Sequence, residues 1–167
     1  MKGKILSLCC ALGAVWAVSA PAQEVVFQDL VAPYEAIRLQ LLDDHTETVA
    51  QRAMALKTTL EALQADFSAE RAGVSAEDGK VLEELLPTMI EAVGRLVEAG
   101  DLKSARDAFY ALSKPMVRYH AMLGEKAGTV AVYCAMAKRS WLQPAESIIG
   151  NPYHGKAMAT CGEVVGE

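Results

Sequence analysis

Apolar residues at Val49, Ala53, Leu56, Leu60, Leu63 and Phe67 follow one another at intervals that alternate four and three. That spacing places all six on one face of an α-helix, and a face so continuous has to be covered by other helices. The same pattern continues on both sides, from about residue 30 to about residue 123. Leu30, Tyr34, Ile37 and Leu41 share a face before it. Leu82, Leu85, Leu86, Met89, Val93, Leu96 and Val97 share another after it, over roughly 77–99. A fourth set, Leu102, Ala105, Phe109 and Leu112, meets Pro115 and is continued by Met116, Tyr119 and Leu123.

The breaks between these sets are short. Asp43 and Asp44 interrupt the first, and either carboxylate is of a kind that caps the helix that follows. Gly73, Val74 and Ser75 read as a turn, with Ser75 and Asp78 as an imperfect capping pattern. Gly100 stops the third helix and Asp101 caps the fourth. Pro87 and Pro115 fall inside helical runs. Each removes a backbone donor, which predicts a kink or, at Pro87, a helix start. Short connections imply antiparallel neighbours, so the expected fold is all-α: an up-down bundle of about four helices. Low aromatic content and abundant Ala, Leu and Glu agree with helices rather than a β-sandwich.

The N-terminus reads as a secretory signal over residues 1–22. Lys2 and Lys4 form a basic segment, residues 5–18 are apolar, and Ala20-Pro21-Ala22 supplies a cleavage pattern before Gln23. The apolar stretch is short for a membrane span. Cys9 and Cys10 lie within it without a lipid-attachment box, and are set aside from fold reasoning. The remaining 23–167 is one domain in size. Losing Lys2 and Lys4 moves the formal net charge from −5 to −7. An acidic chain without a basic run argues against nucleic acid and anionic membrane surfaces as partners.

After Gly124 the character changes. Thr129, Val130, Ala131, Val132 and Tyr133 are β-prone. From Cys134 onward Pro144, Gly150, Pro152, Gly155 and Gly162 predict a loop-rich lid, with one helical turn over about 146–149. This segment, 130–167, holds both cysteines of the expected mature chain. Cys134 and Met136 form a C-x-M pair, and Met158 and Cys161 an M-x-x-C pair. On a strand the first pair shares a face, and on a helical turn so does the second. Thiolate and thioether sulfurs are soft donors, suited to Cu(I) or Ag(I) rather than hard cations. His154 lies between the pairs and could add an imidazole.

A Cys134–Cys161 disulfide is the rival reading. Export to an oxidising compartment favours it, and by loop entropy it would contribute about 3–4 kcal/mol. A site that binds metal only when reduced lies between the two. Asn151-Pro152-Tyr153-His154-Gly155 is a turn by its chemistry, with Tyr153 as an anchor. Trp141 reads as the apolar plug that docks the tail.

Other clusters are weaker. Met116 and His120 share a helical face near Met122, but helical methionine is commonly core filler, as for Met54 and Met89. His45 beside Asp43 and Asp44 reads as a solvated junction. No covalent-haem motif, H-E-x-x-H zinc motif or phosphate-binding glycine loop is present, and no nucleophile has an evident base partner. The chain is not read as an enzyme. A haem-binding bundle using Met and His would need inward-facing axial ligands.

The tail resembles that of an exported bacterial domain-of-unknown-function family. Its members occur alone or fused to periplasmic adaptor subunits of copper/silver efflux systems. The matching residues are Tyr133, Cys134, Met136, Trp141-Leu142-Gln143, Ile149, Asn151-Pro152-Tyr153, Gly155, Met158 and Cys161-Gly162. Upstream, the Asp43-Asp44 break and the run Arg106, Phe109, Leu112-Ser113 are also similar. Two departures stand out. Ala135 replaces a proline between the first two sulfurs, and His154 replaces an aromatic ring. The resemblance implies copper handling in the periplasm, with an efflux adaptor or another periplasmic copper protein as partner. The expected function is binding of Cu(I), and Ag(I), at Cys134, Met136, Met158 and Cys161, with His154 optional. The alternative is a disulfide-stapled interaction module that holds no metal.

Overall fold

A computed structural model of the chain describes residues 26–166, so the expected signal peptide and its cleavage site lie outside the described residues. Four main helices pack antiparallel: α1 (Val26–Leu42), α2 (Val49–Ala65), α4 (Ala76–Glu98) and α5 (Leu102–Leu123), with a single turn, α3 (Ala69–Ala72), between the second and third. α2 lies against α1 and α4, and α4 against α5. No helix among the described residues is long and apolar enough to cross a membrane.

The residues that set the periodicity form the core. Leu30, Tyr34, Ile37 and Leu41 of α1 are buried, as are Ala53, Leu56, Leu60 and Leu63 of α2. Phe67 lies just beyond the end of α2 and packs on the core from the following turn. Leu82, Leu86, Met89, Val93 and Leu96 line α4; Phe109, Leu112, Met116 and Tyr119 line α5. Phe27 meets Tyr119 edge-on at 4.9 Å, and Tyr34 lies 4.6 Å from Phe109.

The helix ends partly follow expectation. Ser75 Oγ accepts a hydrogen bond from Asp78 N (3.1 Å), and Asp101 makes a reciprocal capping box with Ser104. Asp43 and Asp44 do not cap α2. Thr48 stands at that position without a side-chain bond, and Asp44 adopts φ 61° and turns toward the tail. Neither proline ends its helix: α4 runs through Pro87 and α5 through Pro115.

The all-α expectation is corrected by the C-terminal segment. It forms a three-stranded antiparallel sheet in the order β2-β1-β3: β1 (Thr129–Cys134), β2 (Arg139–Pro144) and β3 (Glu163–Val165). The β-branched run at 129–133 supplies the central strand. Beyond it, glycines and prolines masked β2, whose Trp141, Leu142 and Gln143 are all buried. Val132 pairs with Trp141 and Cys134 with Arg139. The helical turn expected over 146–149 is absent, and a 3-10 turn forms instead at Gly155–Met158.

The sheet and its loops are bonded to the bundle. Tyr34 Oη pairs with Ser113 Oγ at 2.6 Å and accepts from Leu142 N at 3.2 Å. Burial pushes the Tyr34 phenol far above its ordinary range, with the Ser113 bond only partly opposing, so it stays neutral. The buried Arg38 guanidinium grips Glu35 through two nitrogens at 2.6 Å and donates to Gly150 O at 2.5 Å. A desolvated arginine with each of its three nitrogens bonded in this way fixes the loop before Asn151 on α1.

Candidate soft-metal and dithiol site

Cys134 is the last residue of β1, and strand alternation puts it on the same face as Val132. Cys161 follows the 3-10 turn, with its N–H donating to Met158 O at 3.1 Å. Twenty-seven residues apart in sequence, the two are free thiols with Sγ atoms 2.6 Å apart. Cys134 is wholly buried, whereas Cys161 is partly exposed.

Three features hold this meeting in place. Asn151, fully buried, donates to Cys161 O (2.8 Å) and bonds Ala159 O through its own N–H (2.7 Å). Its Oδ1 accepts from Tyr153 N at 2.8 Å and His154 N at 3.2 Å, an Asx turn that shapes the loop. Gln143 uses both ends of its amide. Its Oε1 accepts from Trp141 Nε1 and Gly150 N, and its Nε2 donates to Ser147 O and Ile148 O. Gly162 lets the chain press on the sheet, since a Cβ there would stand 2.7 Å from Trp141 Cη2 and 2.8 Å from Val132 Cγ1. Trp141 is fully buried and Tyr153 nearly so, with their rings 5.9 Å apart edge to face. Tyr153 Oη donates to Ser140 O at 2.7 Å.

A second clasp acts from the far side. Arg106 of α5 donates to Pro152 O (2.7 Å), Leu41 O (2.8 Å) and Asp44 Oδ1 (2.6 Å). Asp44 Oδ2 in turn accepts from Lys156 N at 3.3 Å. The hydrogen bond from Arg106 holds the Asp44 carboxyl below its ordinary pKa, helped by the Lys156 N–H. Gly155, at φ 54°, lies so close to this pair that any side chain would strike Asp44 Oδ1 and Arg106 Nη2.

The two thiols are electrostatically unlike. Burial disfavours the Cys134 thiolate, but hydrogen bonds from Cys161 and from Ala137 N (3.4 Å to Sγ) outweigh it and lower its pKa. The Cys161 proton is held against Cys134, and burial and repulsion from that sulfur add to the effect, so its pKa is raised. The two titrate as a coupled pair whose apparent values belong to the pair and are pushed apart.

The methionines lie two and three residues from the cysteines in the chain. Met136 does not continue the strand, as the C-x-M reading supposed. It sits in the 135–138 turn, 68% exposed, with its backbone N–H beside both sulfurs. Met158 ends the 3-10 turn and is 37% exposed. No group of three or more His, Cys, Asp or Glu arranged to hold a metal occurs among the described residues. His154 instead lines an open cleft with Met136, Tyr153, Arg106 and Arg139, and its Nε2 is buried without a partner. Met116 is core, and His120 Nε2 bonds Thr129 O at 2.8 Å, so that cluster has structural work.

Two thiolates on one tetrahedral ion with metal–sulfur bonds of about 2.3 Å stand about 3.8 Å apart. The observed 2.6 Å is therefore a direct sulfur–sulfur contact, and sharing an ion requires the side chains to part by about 1 Å. Rotation about χ1 of the partly exposed Cys161 can supply that movement.

Sequence reasoning gave Arg38, Asn151 and Gln143 no part in the site. Asn before Pro is a turn signal, and the amide two residues after a tryptophan was visible as a motif, but their partners are set only by folding. No family model matches the chain, and no curated protein or solved structure does either.

Proposed function

We propose that this chain is an exported periplasmic protein that binds Cu(I), and by the same chemistry Ag(I), as cargo. Cys134 and Cys161 are the anchoring ligands, and Met136 and Met158 supply thioethers. His154, unpartnered beside Met136, is the optional fifth donor. The observation that carries the reading is a paired dithiol whose cysteines have exposed methionines two and three residues away in the chain. Methionine used for packing is buried, as Met89 and Met116 are, whereas Met54, expected as core filler, is exposed on α2. Thioethers at the surface, near the thiols in the chain, can receive a soft ion from solvent or from a partner. The lowered pKa of Cys134 favours the deprotonated form a metal needs. Low-coordinate Cu(I) passes between proteins by ligand exchange, so the partner would present its own soft donors. The resemblance to copper/silver efflux-associated proteins makes an efflux adaptor or another periplasmic copper protein that partner.

A second reading has its own observation. Sulfurs 2.6 Å apart are nearer to a disulfide, at about 2.05 Å, than to a shared ion. Oxidised, the chain would be a stapled interaction module without metal. A Cu(I) competition titration separates the two, run on reduced and oxidised protein in parallel with thiols counted in each. About one equivalent bound by the reduced protein, lost in Cys134→Ser and weakened in Met158→Leu, supports cargo binding. Absence of competition in the reduced protein with both thiols titratable would sink it.

A further inference from the structure

We propose that Cys134 and Cys161 form a working thiol–disulfide exchange couple for small-molecule disulfides, with Cys161 as the entering sulfur and Cys134 as the resolving one. The proposal goes beyond metal binding and does not depend on it.

Two facts fix the order. Cys134 is wholly buried at the end of β1, so no external disulfide can reach its sulfur. Cys161 is partly exposed, so it can meet one. A third fact makes the couple complete. Once Cys161 carries an adduct, the Cys134 sulfur already lies beside it, 2.6 Å away in the resting structure. Holding the second nucleophile at contact turns the closing step into an intramolecular one, with a large gain in effective concentration.

The chemistry balances in two steps. Cys161, its proton lost to water, attacks one sulfur of a disulfide RS–SR. The S–S bond breaks, a Cys161–S–SR bond forms, and RS⁻ leaves and is protonated. Cys134, also deprotonated, then attacks Cys161 Sγ. The Cys161–SR bond breaks, the Cys134–Cys161 bond forms, and a second RSH leaves. The protein loses two electrons and two protons, and the small disulfide gains them. Ala137 N, 3.4 Å from Cys134 Sγ, is a fixed donor to the resolving thiolate. No C-x-x-C motif announces the couple, because its two halves come from a strand end and a turn 27 residues apart.

The test uses glutathione disulfide as probe on reduced protein freed of reductant, with acid quenching, mass spectrometry and peptide mapping. Wild-type protein should close to the internal disulfide with release of two glutathiones and no lasting adduct. Cys134→Ser should accumulate one glutathione on Cys161. Cys161→Ser should remain unmodified while folded and take up one glutathione in urea. Limiting iodoacetamide on wild-type protein should label Cys161 in at least tenfold preference to Cys134, which keeps the test independent of either variant's folding. Equal labelling of the two cysteines, native modification of Cys161→Ser, or wild-type adducts that persist without closing would each overturn the proposal.

Discussion

The helical bundle and the C-terminal sheet are held together by different means. In the bundle, long runs of apolar side chains meet at regular intervals, and many pairs could be exchanged for others of like volume. In the tail the apolar content is carried by few residues, chiefly Trp141, Leu142 and Tyr153, and the rest is polar bonding by Arg38, Asn151, Gln143 and Arg106. The bundle is redundant and the tail is not. A redundant region fades gradually under mutation, whereas a region built on single bonds fails one residue at a time.

The largest effect should come from the seam itself. Trp141→Ala should cost about 3–5 kcal/mol if the two regions unfold as one cooperative unit. Urea unfolding followed by circular dichroism would show a lower midpoint with an unchanged slope. A lower slope would mean that the tail has already left the bundle, and the comparison would become one of two separate folding units.

Next in size is the redox state. Closing the loop between residues 134 and 161 should stabilise the protein by about 3–4 kcal/mol on the loop-entropy account. The difference between urea midpoints with and without reductant measures it. If the bundle alone sets stability, the two midpoints coincide.

A smaller effect tests the clasp between the α1–α2 turn and the tail. The folded pKa of Asp44 is depressed, chiefly by the Arg106 hydrogen bond. Its contribution is therefore present above the unfolded aspartate value of about 3.9 and is lost as pH falls through the folded value. Asp44→Asn keeps a residue tolerant of φ 61° but removes the charge. Its stability should decline less than that of wild type between about pH 5 and pH 3. Identical acid profiles would show that Arg106 gains nothing from the carboxylate.

The smallest change in stability should come from Met136→Ala. With the side chain 68% exposed, it should alter stability by less than about 0.5 kcal/mol. If the thioether is a ligand, the same substitution should lower Cu(I) affinity by at least tenfold in a competition assay. Unchanged affinity would leave the dithiol to bind alone.

This contrast also explains what the sequence disclosed. The helices were legible because their information is local and repeated: the α2 intervals alone place Ala53, Leu56, Leu60 and Leu63 in the core. β1 announced itself through β-branched residues. β2 did not, because Lys138, Pro144 and the surrounding glycines carry loop chemistry while the strand is made by pairing with β1. The four sulfur residues were visible as types and spacings. That the thiols touch while the methionines stay at the surface was not visible, because it depends on a turn at 135–138 and on the Asn151 loop. Pro87 marks no helix start, and both prolines lie inside continuous helices. Tertiary packing along α4 and α5 outweighs the loss of one backbone bond in each.

Trp141 is the only tryptophan in residues 26–166, and its ring lies against Gly162, the neighbour of Cys161. In protein lacking residues 1–22 its indole emission therefore arises from a single point, at the seam between the two regions and next to the sulfur pair. Nearby disulfides quench indole fluorescence and thiols do so less. The protein thus contains its own optical gauge, in which one unlabelled signal follows both the docking of the tail and the electron state of the cysteines.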